Sequence, residues 1–587
     1  MKTLRYLFFL GFILISCQQP EKHKILDFQT PYENSSELET ATYEDIIAFY
    51  IQLAKKFPEI NVQTLGETDS GYPLHLVSYN PDGDFNFQKI SKKKAIILIN
   101  NGIHPGESDG IDATMLFFRD LALKKITAPE HTVLVTIPVY NIGGALHRNS
   151  TTRVNQNGPE SYGFRGNAQN YDLNRDFIKT DTKNTETFAA IFHLVKPDIF
   201  LDNHVSNGAN YQYTLSHLFT QHNKLGGSLG AYLYQHFTPA LERTLAENNW
   251  DITPYVNVHN TVPEQGFSQF MDYPRYSTGY TTLWNTIGLM AETHMLKPYA
   301  NRVRGTYQLM VALMHITEND FENIKSLRAE AHEAYSDAEK YPLRWSLDTT
   351  QTTSLPFKGY KADIRPSEIT GFPRIRYDTT QPFCKEITYS NFFSPTHTVR
   401  VPQSYIIKKG WRNVLRLLQL NHISYHTLPK DTTLTVESYR ILNYKTMKNP
   451  YEGHYPHYDT EVAKSIKNVA FQQGDIVVPT RQSGIRYLLE TLEPEATDSF
   501  FNWNFFDAIL QQKEHFSPYV FEDLAVALLR NDTLLNTAFV TNKEIDTAFA
   551  QNPMSQLQWI YERSPYYEAA HLQYPVFRVP NDTTPTP

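Results

Sequence analysis

Cysteine is nearly absent from this chain of 587 residues, which contains only Cys17 and Cys384. Two isolated cysteines cannot provide the disulfide framework of a small secreted domain, so the stability has to come from the size of the apolar core. They also cannot form a cysteine-based zinc site. Any bound metal therefore depends on His, Asp or Glu side chains.

Positive charge is also scarce, since 54 Lys and Arg face 62 Asp and Glu and give a net charge of −8. No long block of Lys or Arg occurs, so the basic surface of a nucleic-acid-binding protein is missing, and we expect no nucleic-acid partner. Hydrophobic residues make up 41% and charged residues 20%, the balance of a globular protein. A chain of this length predicts roughly two to four structural units.

The sequence has no apolar run near the N-terminus long enough to span a bilayer; the run there covers only residues 7–15, after two basic residues. This pattern predicts a secretory signal peptide. The run ends in Leu14-Ile15-Ser16-Cys17, which resembles the bacterial lipobox. We therefore predict an exported protein, anchored through a lipid on Cys17 to the periplasmic or cell-surface face of a bacterial membrane. A plain signal peptide with an incidental cysteine is the alternative.

Apolar patterning downstream alternates strands with helices, which predicts an α/β domain with a mixed, mainly parallel sheet flanked by helices. Ligands of such sheets bind beyond the carboxyl ends of the strands. His104, His204 and Glu292 stand at or just after the ends of three predicted strands. The strands are predicted at 61–66, 73–79, 95–100, 132–137, 198–202 and 287–292, and the helices at 43–53, 109–124, 182–195, 224–247 and 298–318.

Changes in composition divide the chain into a series of regions. They predict a signal peptide and lipobox (1–17), a tether (18–40), a catalytic domain (41–325), a linker (326–355), a C-terminal accessory domain (356–575) and a disordered tail (576–587). The accessory domain mixes strand-like and helical runs, so we expect a second mixed α/β domain. Its segment Glu452-Gly453-His454-Tyr455-Pro456-His457 admits a second metal site, but an aromatic and polar loop is the simpler interpretation.

A catalytic zinc site needs three protein ligands and an open position for water. The segment His104-Pro105-Gly106-Glu107 places two suitable side chains on one turn, although such a pair also occurs in a simple capped turn. Three segments follow it in order: Tyr171-Asp172-Leu173-Asn174-Arg175-Asp176, Leu201-Asp202-Asn203-His204 and Ala291-Glu292-Thr293. Together, the four segments resemble the M14 zinc carboxypeptidase family over about residues 41–320.

The resemblance implies a zinc-dependent metallocarboxypeptidase that hydrolyses C-terminal peptide bonds. It implies that His104, Glu107 and His204 bind one Zn²⁺ ion and that Glu292 activates the zinc-bound water. A carboxylate beside such a water can take its proton as the water attacks the scissile carbonyl. The apolar residues before Glu292 favour a functional role for that carboxylate.

The resemblance also implies residues that bind the substrate, a peptide with a free C-terminal carboxylate. Arg175, supported by Asn174, would bind this group, because a planar guanidinium meets a carboxylate with two parallel hydrogen bonds. A surface ion pair with Asp172 or Asp176 is the alternative role for Arg175. Tyr276 would close over the substrate, with Tyr273 and Tyr280 as alternatives.

An arginine is expected to stabilise the oxyanion of the tetrahedral intermediate. Arg153 matches the family position loosely, and Arg148 or Arg165 could serve instead. Two further functions stay open at this point: a zinc amidase or deacylase acting on cell-wall peptides or acylated amino acids, and an inactive lipoprotein that only binds a ligand. The sequence does not predict the oligomeric state.

Overall fold

The computed structural model describes residues 28–581. The predicted signal peptide and Cys17 lie outside the described residues, and so does the end of the predicted tail. Within the described part of the chain, none of the helices combines the length and the apolar character needed to cross a membrane.

Eight strands form one central sheet in the N-terminal half, in the order β1-β2-β4-β3-β5-β9-β6-β7. Four of its neighbouring pairs are parallel (β4–β3, β3–β5, β5–β9 and β6–β7), and the other three are antiparallel. The predicted mixed, mainly parallel sheet is confirmed. The strands of this half are β1 (Ile60–Glu67), β2 (Pro73–Tyr79), β3 (Ala95–Asn100), β4 (Thr132–Ile137), β5 (Ile199–Ser206), β6 (Leu215–Phe219), β7 (Ile252–Pro254), β8 (Phe267–Ser268, outside this sheet) and β9 (Ile287–His294).

The middle strands β3, β4, β5 and β9 are buried along their whole length. Helices cover both faces of a parallel sheet, which explains why β3 and β4 are apolar almost throughout, whereas β5 and β9 begin with apolar residues and end in polar ones. The helices of this half are α1 (Pro31–Asn34), α2 (Tyr43–Lys56), α3 (Phe87–Lys93), α4 (Asp109–Ala122), α5 (Ile142–Leu146), α6 (Lys183–Val195), α7 (His222–Leu225), α8 (Gly227–Tyr232), α9 (Thr238–Glu247), α10 (Ser277–Thr282), α11 (Tyr299–Asn319) and α12 (Phe321–Ser336).

The helical stretch predicted at about 224–247 is present: α8, a π-helical turn at Leu233–Phe237 and α9 follow one another without a break. Gly226 separates α7 from α8 with a φ of 78°, a backbone conformation that glycine adopts readily. Pro239, which has no backbone N–H, lies just after this π-helical turn.

The C-terminal half is built on a six-stranded antiparallel sheet, in the order β15-β18-β14-β19-β16-β17. Two smaller sheets, β10–β13 and β11–β12–β8, adjoin it, and the parallel pairing of β8 with β12 ties the long β11–β12 hairpin to the N-terminal half. The strands are β10 (Lys340–Leu347), β11 (Thr353–Pro366), β12 (Pro373–Ser390), β13 (Phe393–Arg400), β14 (Ser404–Ile407), β15 (His426–Thr427), β16 (Thr432–Thr446), β17 (His457–Phe471), β18 (Ile476–Pro479) and β19 (Val576–Val579).

Six helices complete this half, and the second α/β region expected from the sequence is present. They are α13 (Arg412–Leu420), α14 (Ile485–Leu492), α15 (Pro518–Asn531), α16 (Thr533–Ile545), α17 (Thr547–Ala550) and α18 (Pro553–Glu562).

Three predicted irregular segments contain regular structure. The predicted linker 326–355 holds most of α12, the strand β10 and the start of β11. In the predicted tether, the ring of Tyr32 is 2% exposed and packs edge-on against Tyr299. The first residues of the predicted tail form β19, which pairs with β14 and β16. Each of these short segments gains its order from a tertiary partner, which local composition does not reveal.

The two halves share one continuous apolar core. Trp284, which precedes β9, stacks on Tyr487 of α14 with ring centres 5.9 Å apart. The hydroxyl of Tyr280 in α10 donates a hydrogen bond to Asn421, which follows α13. The C-terminal half is therefore packed against the elements that carry the predicted site.

Candidate metal centre and substrate cleft

Three predicted metal ligands meet at the carboxyl edge of the central sheet. His104 and Glu107 lie in the turn between β3 and α4, and His204 lies in the neighbouring strand β5. One ligand atom from each of the three lies within 4.8 Å of the others, and all three side chains are buried. Nδ1 of His104 is 3.2 Å from Oε1 of Glu107, and Nδ1 of His204 is 3.0 Å from Oε2 of Glu107. Both imidazoles therefore turn the same ring atom toward one carboxylate.

The outer nitrogen of each imidazole faces an aspartate. Nε2 of His104 forms a hydrogen bond of 2.9 Å with Oδ1 of Asp172, and Nε2 of His204 lies 3.0 Å from Oδ2 of Asp202. Asp202 is held in turn by the amide of Asn100 at 3.1 Å. A carboxylate behind each ring fixes the orientation of a metal-binding histidine and raises its basicity. The donor set and its surroundings thus fit a zinc ion.

Two arginines approach Glu107 from different directions. A terminal nitrogen of Arg153 lies 3.0 Å from Oε1 of Glu107, and a terminal nitrogen of Arg165 lies 3.5 Å from the same atom. Burial raises the pKa of Glu107, but His104 and Arg153 outweigh it and hold this pKa well below its usual range. The third candidate, Arg148, donates to the backbone carbonyls of residues 40, 41 and 161.

Glu292 lies in β9, directly opposite His204 on the neighbouring parallel strand. Its side chain borders the same cleft as the three candidate ligands, and it is only 9% exposed. Burial raises the pKa of Glu292 to about 8, with a contribution from Glu107 in the same direction and an opposing one from His204. The strand pairing thus sets the predicted catalytic carboxylate beside the predicted metal centre.

The cleft has a volume of about 360 Å³ and contains the predicted substrate-binding residues Asn174, Arg175 and Tyr276. Oδ1 of Asn174 accepts a hydrogen bond of 3.0 Å from the backbone N–H of Ser277, which joins the two segments. The guanidinium of Arg175 lies 4.7 Å from the centre of the Tyr276 ring. The cleft is lined by His104, Glu107, Arg165, Asn174, Arg175, His204, Val205, Ser206, Asn207, Leu218, Tyr255, Asn257, His259, Phe270, Tyr276, Met290 and Glu292.

The arginines and tyrosines that the sequence left as alternatives lie at different distances from the cleft. Among the arginines, Arg165 lines the cleft, whereas the Arg153 side chain lies against Glu107 and Gln156. Among the tyrosines, Tyr276 lines the cleft, whereas Tyr280 is buried in the core. The ring of Tyr273 is 5.4 Å from the ammonium group of Lys224. The geometry therefore favours Arg165 over Arg153 for the oxyanion role, and the roles of all these residues stay predictions.

Sequence reasoning missed several residues of the cleft, among them Tyr255, Leu218, Phe270 and Met290. None of them stands in a recognisable motif, and Leu218 and Met290 meet only because β6 pairs with β9. Asp172 was noted only as an ion-pair partner of Arg175. Its position inside the Tyr171–Asp176 segment was the one available signal for its contact with His104.

The segment from Glu452 to His457 does not assemble a second cluster of metal ligands. Glu452 accepts a hydrogen bond from the backbone of Asp172, His454 pairs with Asp181, and His457 pairs with Asp507. The three side chains therefore serve three separate contacts.

Comparisons with known proteins agree with this geometry. Residues 46–261 match the family model of the zinc carboxypeptidases, peptidase family M14. This region of the chain is similar to zinc carboxypeptidases, whose metal is Zn²⁺, and the match supports a metallopeptidase.

Individual relatives are distant. The proteins called carboxypeptidase 2 from Trichophyton tonsurans and Trichophyton equinum are each 20% identical over 441 residues, which cover 71% of this chain and 74% of the relative. A metallo-carboxypeptidase structure from Burkholderia cenocepacia aligns with a TM-score of 0.36 and 16% identity, over 48% of this chain and 70% of that one. For carboxypeptidase A from Helicoverpa armigera the TM-score is 0.35 and the identity 14%, over 50% of this chain and 74% of that one.

Proposed function

We propose that the protein is a zinc-dependent metallocarboxypeptidase that removes the C-terminal residue of a peptide with a free carboxylate. The main support is one arrangement in the cleft: two imidazoles and a carboxylate that fit a zinc ion, with Glu292 beside them and Arg175 in the same cavity. His104, Glu107 and His204 would hold the ion. When bound, zinc polarises the scissile carbonyl and makes a water molecule more acidic.

The chain's own carboxylate would move the proton. Glu292 takes a proton from the attacking water and later delivers it to the nitrogen of the leaving amine. Its place on β9, opposite His204, supports this role because the carboxylate and the ligand extend from the same edge of the sheet. Burial in the cleft keeps the reacting groups away from bulk water.

Two guanidinium groups would each bind one of the negatively charged groups that take part in the reaction. Arg175 binds the terminal carboxylate of the substrate, and the Asn174–Ser277 hydrogen bond holds the turn that carries it. Arg165, which lines the cleft, stabilises the oxyanion that develops at the scissile carbonyl. Arg153 keeps Glu107 ionised and oriented from outside the cleft. Tyr276 lies over Arg175 and covers the bound residue.

The cleft, although mostly polar, offers apolar side chains that could hold an apolar residue at the C-terminus of the substrate. Leu218, Phe270 and Met290 line it together, and its acidic lining residues are Glu107 and Glu292, which have other roles. Burial of an apolar side chain in such a surface is favourable by about 1.5–3 kcal/mol. We therefore infer a preference for peptides that end in residues such as Leu or Phe.

Paired peptides that differ only at the C-terminus test this function. In each pair one peptide ends in a free carboxylate and the other in an amide. Both are offered to the parent, to the parent stripped of metal and reloaded with Zn²⁺, and to Glu292→Gln. We expect the free acids to be hydrolysed by the parent and the reloaded protein, and activity to fall by at least 10²-fold in Glu292→Gln. Acylated amino acids are assayed beside the peptides. If they or the peptide amides are hydrolysed while the free-acid peptides stay uncleaved, the protein is instead a deacylase or an amidase. Equal activity of Glu292→Gln and the parent would refute the mechanism.

We also propose, from the N-terminal sequence alone, that the protein is exported and anchored to a bacterial membrane through Cys17. Incorporation of labelled fatty acid into the parent but not into Cys17→Ala would support the anchor. Equal labelling of the two proteins, or none in either, would contradict it.

A further inference from the structure

The loop of residues 447–456, which connects β16 to β17, extends from the C-terminal half to the edge of the cleft. Oε2 of Glu452 accepts a hydrogen bond of 2.8 Å from the backbone N–H of Asp172. Beside it, Gly453 has a φ of 80°, and a Cβ atom there would lie 2.6 Å from the hydroxyl of Tyr171. The two segments are therefore so close that any larger residue at this position would strain the backbone and displace the Tyr171 side chain.

The backbone that Glu452 binds is the turn that carries the predicted carboxylate-binding residues. Oδ1 of Asp172 accepts a hydrogen bond of 2.9 Å from the N–H of Asn174 and also contacts His104. Arg175 follows directly and lines the cleft. A shift of this turn would move the substrate-binding guanidinium and the carboxylate behind a metal ligand together.

A second carboxylate of the C-terminal half holds the neighbouring segment that leads to Tyr276. Asp498, which is fully buried, accepts hydrogen bonds from the backbone N–H and the Nε of Arg275, at 2.8 and 2.9 Å. A terminal nitrogen of the same guanidinium lies 2.6 Å from Asp498. Because Arg275 immediately precedes Tyr276, this three-point contact fixes the backbone that leads into the tyrosine of the cleft.

Other contacts between the halves surround these two anchors. His454 pairs with Asp181 at 2.7 Å. The buried ammonium group of Lys179 lies 5.7 Å from the centre of the Trp503 ring, and the Arg275 guanidinium lies 5.0 Å from it. The contacts between the two halves thus hold two short loops of the N-terminal half, and those loops carry Arg175 and Tyr276.

We propose that Glu452 and Asp498 are positioning residues for catalysis and that the C-terminal half is a working part of the active site. They act through the backbone of Asp172 and through Arg275, so that Arg175 and Tyr276 are ordered before the substrate arrives. Ordering these groups in advance reduces the entropy lost on binding. This role rests on the proposed carboxypeptidase function.

The test compares steady-state kinetics of the full-length parent with those of Glu452→Ala, Glu452→Gln and Asp498→Asn, on a free-acid peptide ending in Phe. Loss of the hydrogen bond to Asp172 should raise KM by about tenfold in Glu452→Ala with a smaller change in kcat, because substrate binding is what the turn controls. The carbonyl oxygen of Gln can still accept this bond, so Glu452→Gln should recover most of the loss. Asp498→Asn should raise KM in the same way.

Asp337→Asn is the matched control. Asp337 pairs with Arg481 at 2.6 Å across the same two regions, but both side chains are more than half exposed, and neither lines the cleft. This variant should keep the KM of the parent. Thermal unfolding of every variant separates a local effect on the cleft from a loss of the fold, and Glu452→Ala should unfold within a few degrees of the parent.

The outcomes distinguish this role from the proposed function. If the parent with zinc hydrolyses none of the free-acid peptides, the proposed function fails, whatever the variants do. If the parent is active and Glu452→Ala and Asp498→Asn keep its KM, the positioning role is refuted. The same conclusion follows if Glu452→Gln is as impaired as Glu452→Ala, because the hydrogen bond would then not be the cause.

Discussion

Replacement of Asp172 by Asn tests the link between the turn and the metal centre. One oxygen of Asp172 serves Nε2 of His104 and the N–H of Asn174, and the other serves two nitrogens of Arg165 at 2.8 and 3.0 Å. Burial raises the pKa of Asp172, but its neighbours, His104 first, hold the pKa well below the usual range, so the side chain is a carboxylate at neutral pH. The side-chain amide of Asn at this position has no such charge.

The contacts of Asp172 determine how much zinc affinity Asp172→Asn should lose. An Asn side chain keeps one acceptor oxygen, so its nitrogen must face either His104 or Arg165, and one of the two pairs of contacts is lost. Loss of the group behind a metal-binding histidine lowers metal affinity by about 10–100-fold, which corresponds to about 1.4–2.7 kcal/mol. We therefore expect the Kd for Zn²⁺ to rise by about one to two orders of magnitude.

Competition with a chromogenic chelator at fixed pH measures this Kd without reference to catalysis. Asp181→Asn is the control, because Asp181 also pairs with a histidine at 2.7 Å, but that histidine, His454, lies outside the candidate metal centre. The control should bind Zn²⁺ as the parent does. An unchanged zinc affinity in Asp172→Asn, or an equal loss in both variants, would show that the Asp172–His104 contact does not support the metal site.

Three further outcomes are expected. Peptides ending in Phe or Leu should give a kcat/KM at least about tenfold above those ending in Lys or Glu, and Leu218→Lys should reduce this ratio; equal rates for all four would exclude the apolar cleft. Gly453→Ala should raise KM for free-acid peptides and lower the unfolding free energy by about 1–2 kcal/mol, since its φ is 80° and its Cβ would overlap Tyr171. Burial lowers the pKa of His193 from 6.5 to about 3, so its contribution to stability is complete above pH 6.5 and is lost as the pH falls below it. At pH 5 this lowers the unfolding free energy of the parent by about 2 kcal/mol relative to pH 7. Chemical denaturation should show that the unfolding free energy of His193→Gln falls less than that of the parent between these two pH values.

Local pattern was sufficient to predict several strands of the central sheet. The apolar runs at 95–100, 132–137 and 287–292 predicted strands, and the structure contains β3, β4 and β9 there. These runs are informative because a strand covered on both faces has to be apolar along its whole length. The helical stretch predicted at 224–247 is present as well, but the break at Gly226 and the π-helical turn at Leu233–Phe237 were not foreseen, since neither changes the apolar period.

The position of the metal centre followed from motifs that are contiguous in sequence. His104 and Glu107 are three residues apart on one turn, and His204 and Glu292 stand near the ends of strands that become neighbours. The choice between Arg153 and Arg165 was beyond the sequence. Both residues come from an irregular segment whose path depends on packing against other parts of the chain.

The sequence by itself thus predicted the class of sheet, the resemblance to zinc carboxypeptidases and a set of residues able to bind zinc, because each of these depends on local spacing and apolar period. Only the tertiary structure revealed the aspartate behind His104, 68 residues further along the chain, and the contact of Glu452 with Asp172 across 280 residues. Such hydrogen bonds are made by single polar side chains after the core has brought distant loops together. A lone carboxylate in a loop carries no periodic signal that would indicate its partner.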